Sequence, residues 1–257
     1  MEGNIQVIDP VRIRDRFTRA VDSYDRHAGV QHRISKKLAA FLPRYTGTHY
    51  NRILEIGCGT GGFTRCLKNN CNIREWVLND LCEACREKTE QILSGSVPVF
   101  IAGDAEQIHF QGPFDLIASA SSFQWMRQPE RFLHKLAGLL KPEGILLFST
   151  FAPGNLNEIK ELTGNGLAYP SPEELTHWIS ADYRLIHAEE EEIVLTFDTP
   201  MDVLCHMKAT GVTATSTGCW TRGKLEEFCH RYKESYRIRT NQVTLTYRPL
   251  YMLAIKK

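Results

Sequence analysis

Between Ile53 and Gly62 the chain passes from an apolar stretch holding one acid, Ile53-Leu54-Glu55-Ile56, directly into Gly57-Cys58-Gly59-Thr60-Gly61-Gly62. A short apolar run of this kind suits a strand buried on both faces, and the glycines after it let the backbone turn tightly and approach a ligand before a helix begins. Such a turn at the carboxyl end of a strand is where open α/β sheets hold cofactors. One segment therefore constrains both the fold class and the place of the site.

The rest of the chain agrees with that frame. Apolar residues at Ile13, Phe17, Val21, Tyr24, Ala28, Ile34 and Leu38 follow a helical stripe, which predicts one or two amphipathic helices ended by Pro43 and the Thr46-Gly47-Thr48 turn. Strands are then predicted over 52–56, 75–79, 97–102, 115–119 and 145–151, with helices over 61–69, 82–93 and 129–140. This alternation implies a mostly parallel sheet with helices on both faces. Beyond 151 the rhythm loosens into a Gly/Pro/Asn-rich loop over 152–172. A helix is expected over 172–179 behind a Ser171 cap, and a strand near 186–197. Two helices within 200–239, joined by the polar run 213–218, lead to a last strand over 243–255. A single domain over 1–257 is expected: helices in 1–45, a cofactor-binding core in 46–151, a substrate-side cap in 152–240, and the final strand in 241–257.

Composition excludes several classes. With 257 residues the chain can bury a large core without staples, and its formal net charge of +1 argues against a general nucleic-acid binder. No run of about 18 apolar residues is present to span a bilayer. The opening MEGNIQVIDPVRIRDR lacks the apolar core of a signal peptide, so the cytoplasm is the expected compartment. Eight cysteines in a chain of this kind read as reduced thiols. Cys82 and Cys85 form a CxxC pair without a second pair or a histidine doublet, so no metal site is expected. Charge is uneven: residues 1–45 carry nine Lys/Arg against five Asp/Glu, 151–200 carry two against ten, and 201–257 carry ten against four.

The glycine loop alone leaves the cofactor open, because Gly57, Gly59 and Gly62 also satisfy the GxGxxG of nicotinamide enzymes. Acidic residues discriminate. Glu55, two residues before Gly57, suits a cationic amine rather than a pyrophosphate, and Gly61 allows a third close approach. Asp80, 18 residues past Gly62, ends the second strand where a carboxylate can accept both hydroxyls of a ribose in either cofactor. Asp104, in Gly103-Asp104-Ala105-Glu106 after the third strand, is placed to accept from an adenine amino group.

On these residues the sequence resembles the class I S-adenosylmethionine-dependent methyltransferases, whose acid-x-GxGxG, strand-end acid and Asp-Ala pattern is matched by Glu55, Gly57, Gly59, Gly61, Asp80, Asp104 and Ala105. The resemblance implies a Rossmann-like, seven-stranded, mostly parallel sheet with an N-terminal helical extension and an inserted helical cap. It also implies S-adenosylmethionine as cofactor, S-adenosylhomocysteine as product, and cofactor contacts from Tyr24, Cys58, Leu81, Ala120 and Phe123 besides the matched residues. Further segments are similar to the malonyl-acyl-carrier-protein O-methyltransferases of biotin synthesis: Phe17 to Gln31, Ser122-Phe123-Gln124-Trp125, Leu204 to Gly211, Thr221-Arg222-Gly223 and Val243 to Pro249.

That second resemblance implies methyl transfer to the free carboxylate of a malonyl thioester. A carboxylate with a reference pKa of about 4 is already ionised at neutral pH, so no general base is expected. Tyr24, Gln124 and Trp125 are candidate positioning residues, and Lys208 and Arg222 are candidates to grip the carboxylate. An acidic acyl carrier protein is the implied partner. Its candidate docking surfaces are Arg12, Arg16, Arg19 and Arg26 near the start and Lys224, Arg231 and Lys233 near the end. Neither a nucleic acid nor a membrane is implied. Open alternatives are a methyltransferase acting on a quinone precursor or a free acid, a nicotinamide-dependent oxidoreductase, and a binding module that keeps the pocket without catalysis.

Overall fold

The computed structural model describes residues 8–211, 221–239 and 241–257. Strands β1 (His49–Ile56), β2 (Asn72–Asp80), β3 (Val99–Ala102), β4 (Phe114–Ser119), β5 (Leu140–Phe151), β6 (Tyr183–Glu190), β7 (Ile193–Phe197), β8 (Val243–Tyr247) and β9 (Pro249–Lys256) divide between two sheets. Seven of them lie in the order β3-β2-β1-β4-β5-β9-β6, and β7 pairs with β8 in a separate ribbon. Parallel pairing holds from β3 to β5. β9 enters antiparallel between β5 and β6, with Leu147 opposite Leu253 and Ala188 opposite Met252.

Because successive strand residues face opposite ways, the sheet feeds two cores. Ile53, Leu116, Leu147 and Leu253 face one side, packed with α3 (Gly29–Tyr45) and α4 (Gly62–Asn70) through Ile34, Leu38 and Leu67. Leu54, Ile117, Leu146 and Met252 face the other, covered by α6 (Pro129–Leu139) and α8 (Pro172–Asp182) through Phe132, Leu136 and Ile179. The short apolar strands are thus buried on both faces, as their composition requires.

The N-terminal stripe becomes three helices, α1 (Pro10–Ala20), α2 (Tyr24–His27) and α3. Pro43 does not end α3. It lies inside the last turn, where it removes one helical N–H but leaves the helix to be closed by the Thr46 N–H on the Leu42 carbonyl at 2.9 Å. α5 (Cys85–Ile92) starts three residues later than predicted.

Two single strands of the sequence reading are each a pair. The 186–197 segment splits into β6 and β7, and 243–255 splits at Arg248 into β8 and β9, which lie in different sheets. The Arg248 N–H donates to Asn155 Oδ1 at 3.0 Å and its carbonyl accepts from the Ala152 N–H at 2.8 Å, so the junction is anchored to the loop after β5. That loop also holds an unpredicted helix, α7 (Asn157–Thr163), whose buried Glu158 accepts from the Thr246 hydroxyl at 2.7 Å. The two helices expected within 200–239 are α9 (Pro200–Ala209) and α10 (Arg222–Tyr236). The 213–218 run between them lies outside the described residues. Among the described residues no helix is long and apolar enough to cross a membrane.

Leu253 of the antiparallel β9 is fully buried in the core under α3 and α4. Leu253→Ala is expected to lower the unfolding free energy by about 2–5 kcal/mol in a denaturant titration. Val97→Ala, at a position 97% exposed, is expected to change it by about 0.5 kcal/mol or less.

Candidate functional site

The site forms where β1, β2 and β3 end. Gly57 and Cys58 both donate their N–H groups to the Asn79 carbonyl, at 2.8 and 3.0 Å, which turns the chain away from the sheet. Gly57 has φ +67° and Gly61 φ +85°, and neither tolerates a side chain. A Cβ on Gly57 would fall 2.1 Å from Ser122 Oγ, and one on Gly61 would fall 2.3 Å from Ile92 Cδ1. Gly61 is also the residue from which α4 starts.

Asp80 ends β2 and holds the loops on either side. One carboxylate oxygen accepts from the Gly59 N–H and the other from the Cys82 N–H, both at 2.8 Å. Burial pushes its pKa up, and these backbone donors oppose that shift. Each oxygen keeps acceptor capacity for one hydroxyl of a ribose. Cys82 and Cys85 behind it are buried free thiols, with Cys82 Sγ 3.2 Å from the Thr18 hydroxyl.

Glu55 lies beneath the loop, fully buried, and is not among the residues lining the cleft. Its Oε2 accepts from the Thr64 hydroxyl at 2.8 Å, while Oε1 is buried without a partner. Burial raises its pKa to about 8; the Thr64 hydroxyl works against this and the charge of Asp80 adds to it. Asp104 does line the cleft, but its oxygens are engaged. Oδ1 accepts from the Glu106 N–H at 3.0 Å and Oδ2 from Arg127 at 2.6 Å. Lys135 pins the same loop by donating to the carbonyls of Ala105, Glu106 and Ile108 at 3.0, 3.0 and 2.6 Å.

These groups bound a cleft of about 1160 Å³, counted to its open mouth, into which Cys58, Gly59, Leu81, Ala105 and Ala120 also face. The N-terminal helices form its other wall through Ile13 and Phe17 of α1, Tyr24 of α2, and Gln31 and His32 of α3. Phe123 is a correction. It was assigned to the cofactor, yet its ring stacks on Phe148 at 4.2 Å inside the core and lines neither cavity.

A second cavity of about 390 Å³ adjoins the first, sharing Phe17, Tyr24, Gln31, Ser121 and Trp125 with it. Gln124, Asn155, Tyr169, Thr210 and Tyr247 complete its polar lining. The structure thus unites Tyr24, Gln124 and Trp125, as the sequence reading expects. It does not bring in the two cations. Lys208 is exposed on the last turn of α9, whose buried face is Val203 and Met207. Arg222 is 93% exposed and pairs with Glu226 one turn along α10. Sequence reasoning had assigned no site role to Gln31, Ser121, Asn155 or Tyr169. The usable signal for Gln31 was its place on the apolar face of α3, and for Ser121 its place just after β4.

Comparison with known proteins bears on this geometry. A family model described as a methyltransferase domain matches residues 54–148. The malonyl-[acyl-carrier protein] O-methyltransferase of Porphyromonas gingivalis is 45% identical over 252 residues, covering 97% of each chain. The protein of the same name from Haemophilus influenzae is 38% identical, covering 98% of this chain and 96% of its own. Among solved structures, magnesium protoporphyrin IX methyltransferase from Synechocystis with bound S-adenosylhomocysteine superposes with TM-score 0.59 at 15% identity, covering 96% of this chain and 99% of its own. A methyltransferase-like protein of Bacillus halodurans gives TM-score 0.61 at 16% identity, covering 86% and 97%.

The buried Glu55 yields a prediction on stability. Its folded-state pKa of about 8 lies above the ordinary 4.5, so its protonated form favours the fold. That contribution is full below pH 4.5 and is lost as pH rises through about 8. Thermal unfolding across this window should show wild type losing stability relative to Glu55→Gln as pH rises. A difference between the two that does not change with pH would refute the assignment.

Proposed function

Because the chain belongs to the malonyl-[acyl-carrier protein] O-methyltransferase family, we propose that it methylates the free carboxylate of a malonyl thioester carried on an acyl carrier protein, the step that opens pimeloyl and biotin synthesis. S-adenosylmethionine is its methyl donor. The residues present fit that donor: Gly57 and Gly61 form a cradle that a Cβ would fill, and Asp80 has acceptor capacity for a ribose. The donor supplies an electrophilic methyl: a carboxylate oxygen lone pair forms the new C–O bond as the methyl–sulfur pair stays on sulfur, leaving a methyl ester and a neutral thioether.

The observation that carries the choice of substrate is the second cavity. It adjoins the cofactor cleft, and among the described residues that line it none is an aspartate, glutamate, histidine, lysine or arginine. A phenol or a carbon acid would need a base there, whereas a carboxylate does not. The protein's part is then alignment. Holding two reactants at near-attack distance accounts for about 7–11 kcal/mol of a barrier. Tyr24 and Trp125, which border both cavities, are the residues we assign to that task, with Gln124 at the far side. Phe17 supports them, its ring 6.1 Å from Tyr24 and 6.3 Å from Trp125. Asp104, held by Arg127, is assigned to the adenine.

The carrier protein is assigned to the α1 side of the cleft. Ile13 and Phe17 of α1 wall the cleft, and Arg12 and Arg19 of the same helix are exposed. The pKa of Arg16 is lowered by burial and by the neighbouring Arg12 and Arg19 charges, which marks a cationic cluster suited to an acidic protein. α10, with Lys224, Arg231 and Lys233, lines neither cavity, so it is the weaker of the two surfaces. The free thiols suit the cytoplasm, where we place the reaction.

Methyl transfer to malonyl-acyl carrier protein at saturating substrates should give a kcat that does not vary between pH 6.5 and 8.5, taken as an approximate range free of a base limb. A limb near neutrality would favour a base-dependent acceptor instead. Reversing Arg12 and Arg19 to Glu should raise the KM for the malonyl carrier roughly tenfold and weaken its salt dependence, with the KM for malonyl-coenzyme A unchanged. Equal effects on both thioesters would contradict docking at α1.

A further inference from the structure

Asn155 and Tyr169 both line the second cavity, and the Asn155 amide lies 2.9 Å from the Tyr169 hydroxyl. The surrounding chain fixes the direction of that hydrogen bond. Asn155 Oδ1 accepts the Arg248 N–H at 3.0 Å, so the amide cannot be turned over and Nδ2 is the atom that meets the phenol. The phenol oxygen is therefore an acceptor, and its own proton is left to donate elsewhere. Among the described residues the phenol makes this one hydrogen bond and no protein group takes the proton. Both partners are held in place. Asn155 is 4% exposed, in a loop tied to β8 and the β8–β9 junction by the Leu156 N–H on the Thr246 carbonyl and the Ala152 N–H on the Arg248 carbonyl, both at 2.8 Å. Leu156 takes φ +54° there, which a non-glycine residue rarely adopts. The Tyr169 ring packs edge-on against Phe151, with 6.2 Å between centroids.

Neighbouring polar groups of the cavity spend their protons on the protein. Thr210 donates to the His206 carbonyl at 2.9 Å, and Gln124 Nε2 donates to the Ser121 carbonyl at 2.6 Å. The Tyr247 hydroxyl lies 2.9 Å from His206 Nε2, and burial lowers the pKa of that histidine, so a neutral imidazole can receive the Tyr247 proton. Position adds to this. Tyr24 and Trp125 border both cavities, whereas Tyr169 lines the second cavity alone. The carboxylate oxygen that attacks the methyl must stand at the border with the cofactor cleft. A malonyl group placed so carries its thioester carbonyl, on the other side of its methylene, deeper into the second cavity and toward Tyr169. That carbonyl is an acceptor only, the complement of a phenol whose proton is free.

We infer that Tyr169, oriented by Asn155, donates a hydrogen bond to the thioester carbonyl of the malonyl group, so that the site reads a malonyl thioester rather than any chain-end carboxylate. This rests on the function proposed above. Accepting from the Asn155 amide polarises the phenol and makes it a better donor. The carbonyl takes no part in the bond changes of methyl transfer, so the contact is made equally in the bound substrate and in the transition state. Its loss therefore falls on KM rather than on kcat. Asn155 is a positioning residue, acting through the phenol it orients.

The test compares two carriers: malonyl-acyl carrier protein, and the same carrier alkylated on its phosphopantetheine thiol with 3-bromopropionate. The second keeps the carboxylate at the same chain length but has a methylene in place of the carbonyl. Wild type should methylate the malonyl carrier with a kcat/KM roughly tenfold higher than the alkylated one. Tyr169→Phe should bring that ratio close to one by raising the KM for the malonyl carrier alone, with S-adenosylhomocysteine affinity retained as evidence of folding. Asn155→Asp keeps an oxygen for the Arg248 N–H but accepts the phenol proton and so turns it away from the cavity; it should lower the ratio to the same value. Both carriers present the same carboxylate, so the charge added by that substitution cancels from the ratio. A ratio that Tyr169→Phe leaves unchanged, whether neither carrier or both carriers equally are affected, would overturn the inference. Wild type that binds S-adenosylhomocysteine but methylates neither carrier would instead refute the proposed function.

Discussion

Asn79 and Asp80, the last two residues of β2, hold the ends of three strands in one arrangement. The Asn79 carbonyl accepts from Gly57 and Cys58 after β1, and its buried side-chain amide donates to the Ile101 and Gly103 carbonyls at the end of β3, at 2.9 and 3.0 Å. Asp80 then receives the N–H groups of Gly59 and Cys82. The walls of the cofactor cleft that come from β1, β2 and β3 depend on this pair. A buried carboxylate is unfavourable by itself, and the two backbone donors make it tenable while fixing the loop geometry. The glycines at 57 and 61 leave the space those contacts enclose.

Around that frame the chain separates two tasks. The strand ends recognise a nucleoside-bearing methyl donor, and the helices at the amino terminus, with the loops after β4 and β5, enclose a smaller uncharged chamber beside it. Methylating a carboxylate needs no proton transfer, so the chamber is built from aromatic rings, amides and hydroxyls rather than from an acid–base pair.

Much of this was legible because hydrophobic periodicity reports burial directly. The strand–helix alternation from Arg52 to Phe151, the glycine loop and Asp80 follow from pattern and spacing. What periodicity cannot report is which sheet a buried strand joins. Val243 to Ile255 is apolar or alternating throughout, and only the Arg248-Pro249 interruption marks the passage from ribbon to sheet. Charge was equally silent on direction. Lys208 and Arg222 have the right chemistry for a carboxylate, yet helix phase places both in solvent. Glu55 was expected to face the cofactor and instead sits beneath the loop with one oxygen unpartnered, because β1 turns its side chain toward α4. Gln31 and Ser121 received no site role for the opposite reason: an uncharged residue in an apolar stripe and one of a serine pair give no signal of a cavity until the fold is seen.

The central claim is that this chamber presents a malonyl carboxylate to the methyl donor. Its most direct measurement is the intact mass of malonyl-acyl carrier protein after incubation with the protein and S-adenosylmethionine. The account predicts a carrier heavier by one methyl, with the added mass leaving together with the malonyl group when the thioester is cleaved. An unchanged carrier, from protein that still binds S-adenosylhomocysteine, would contradict it.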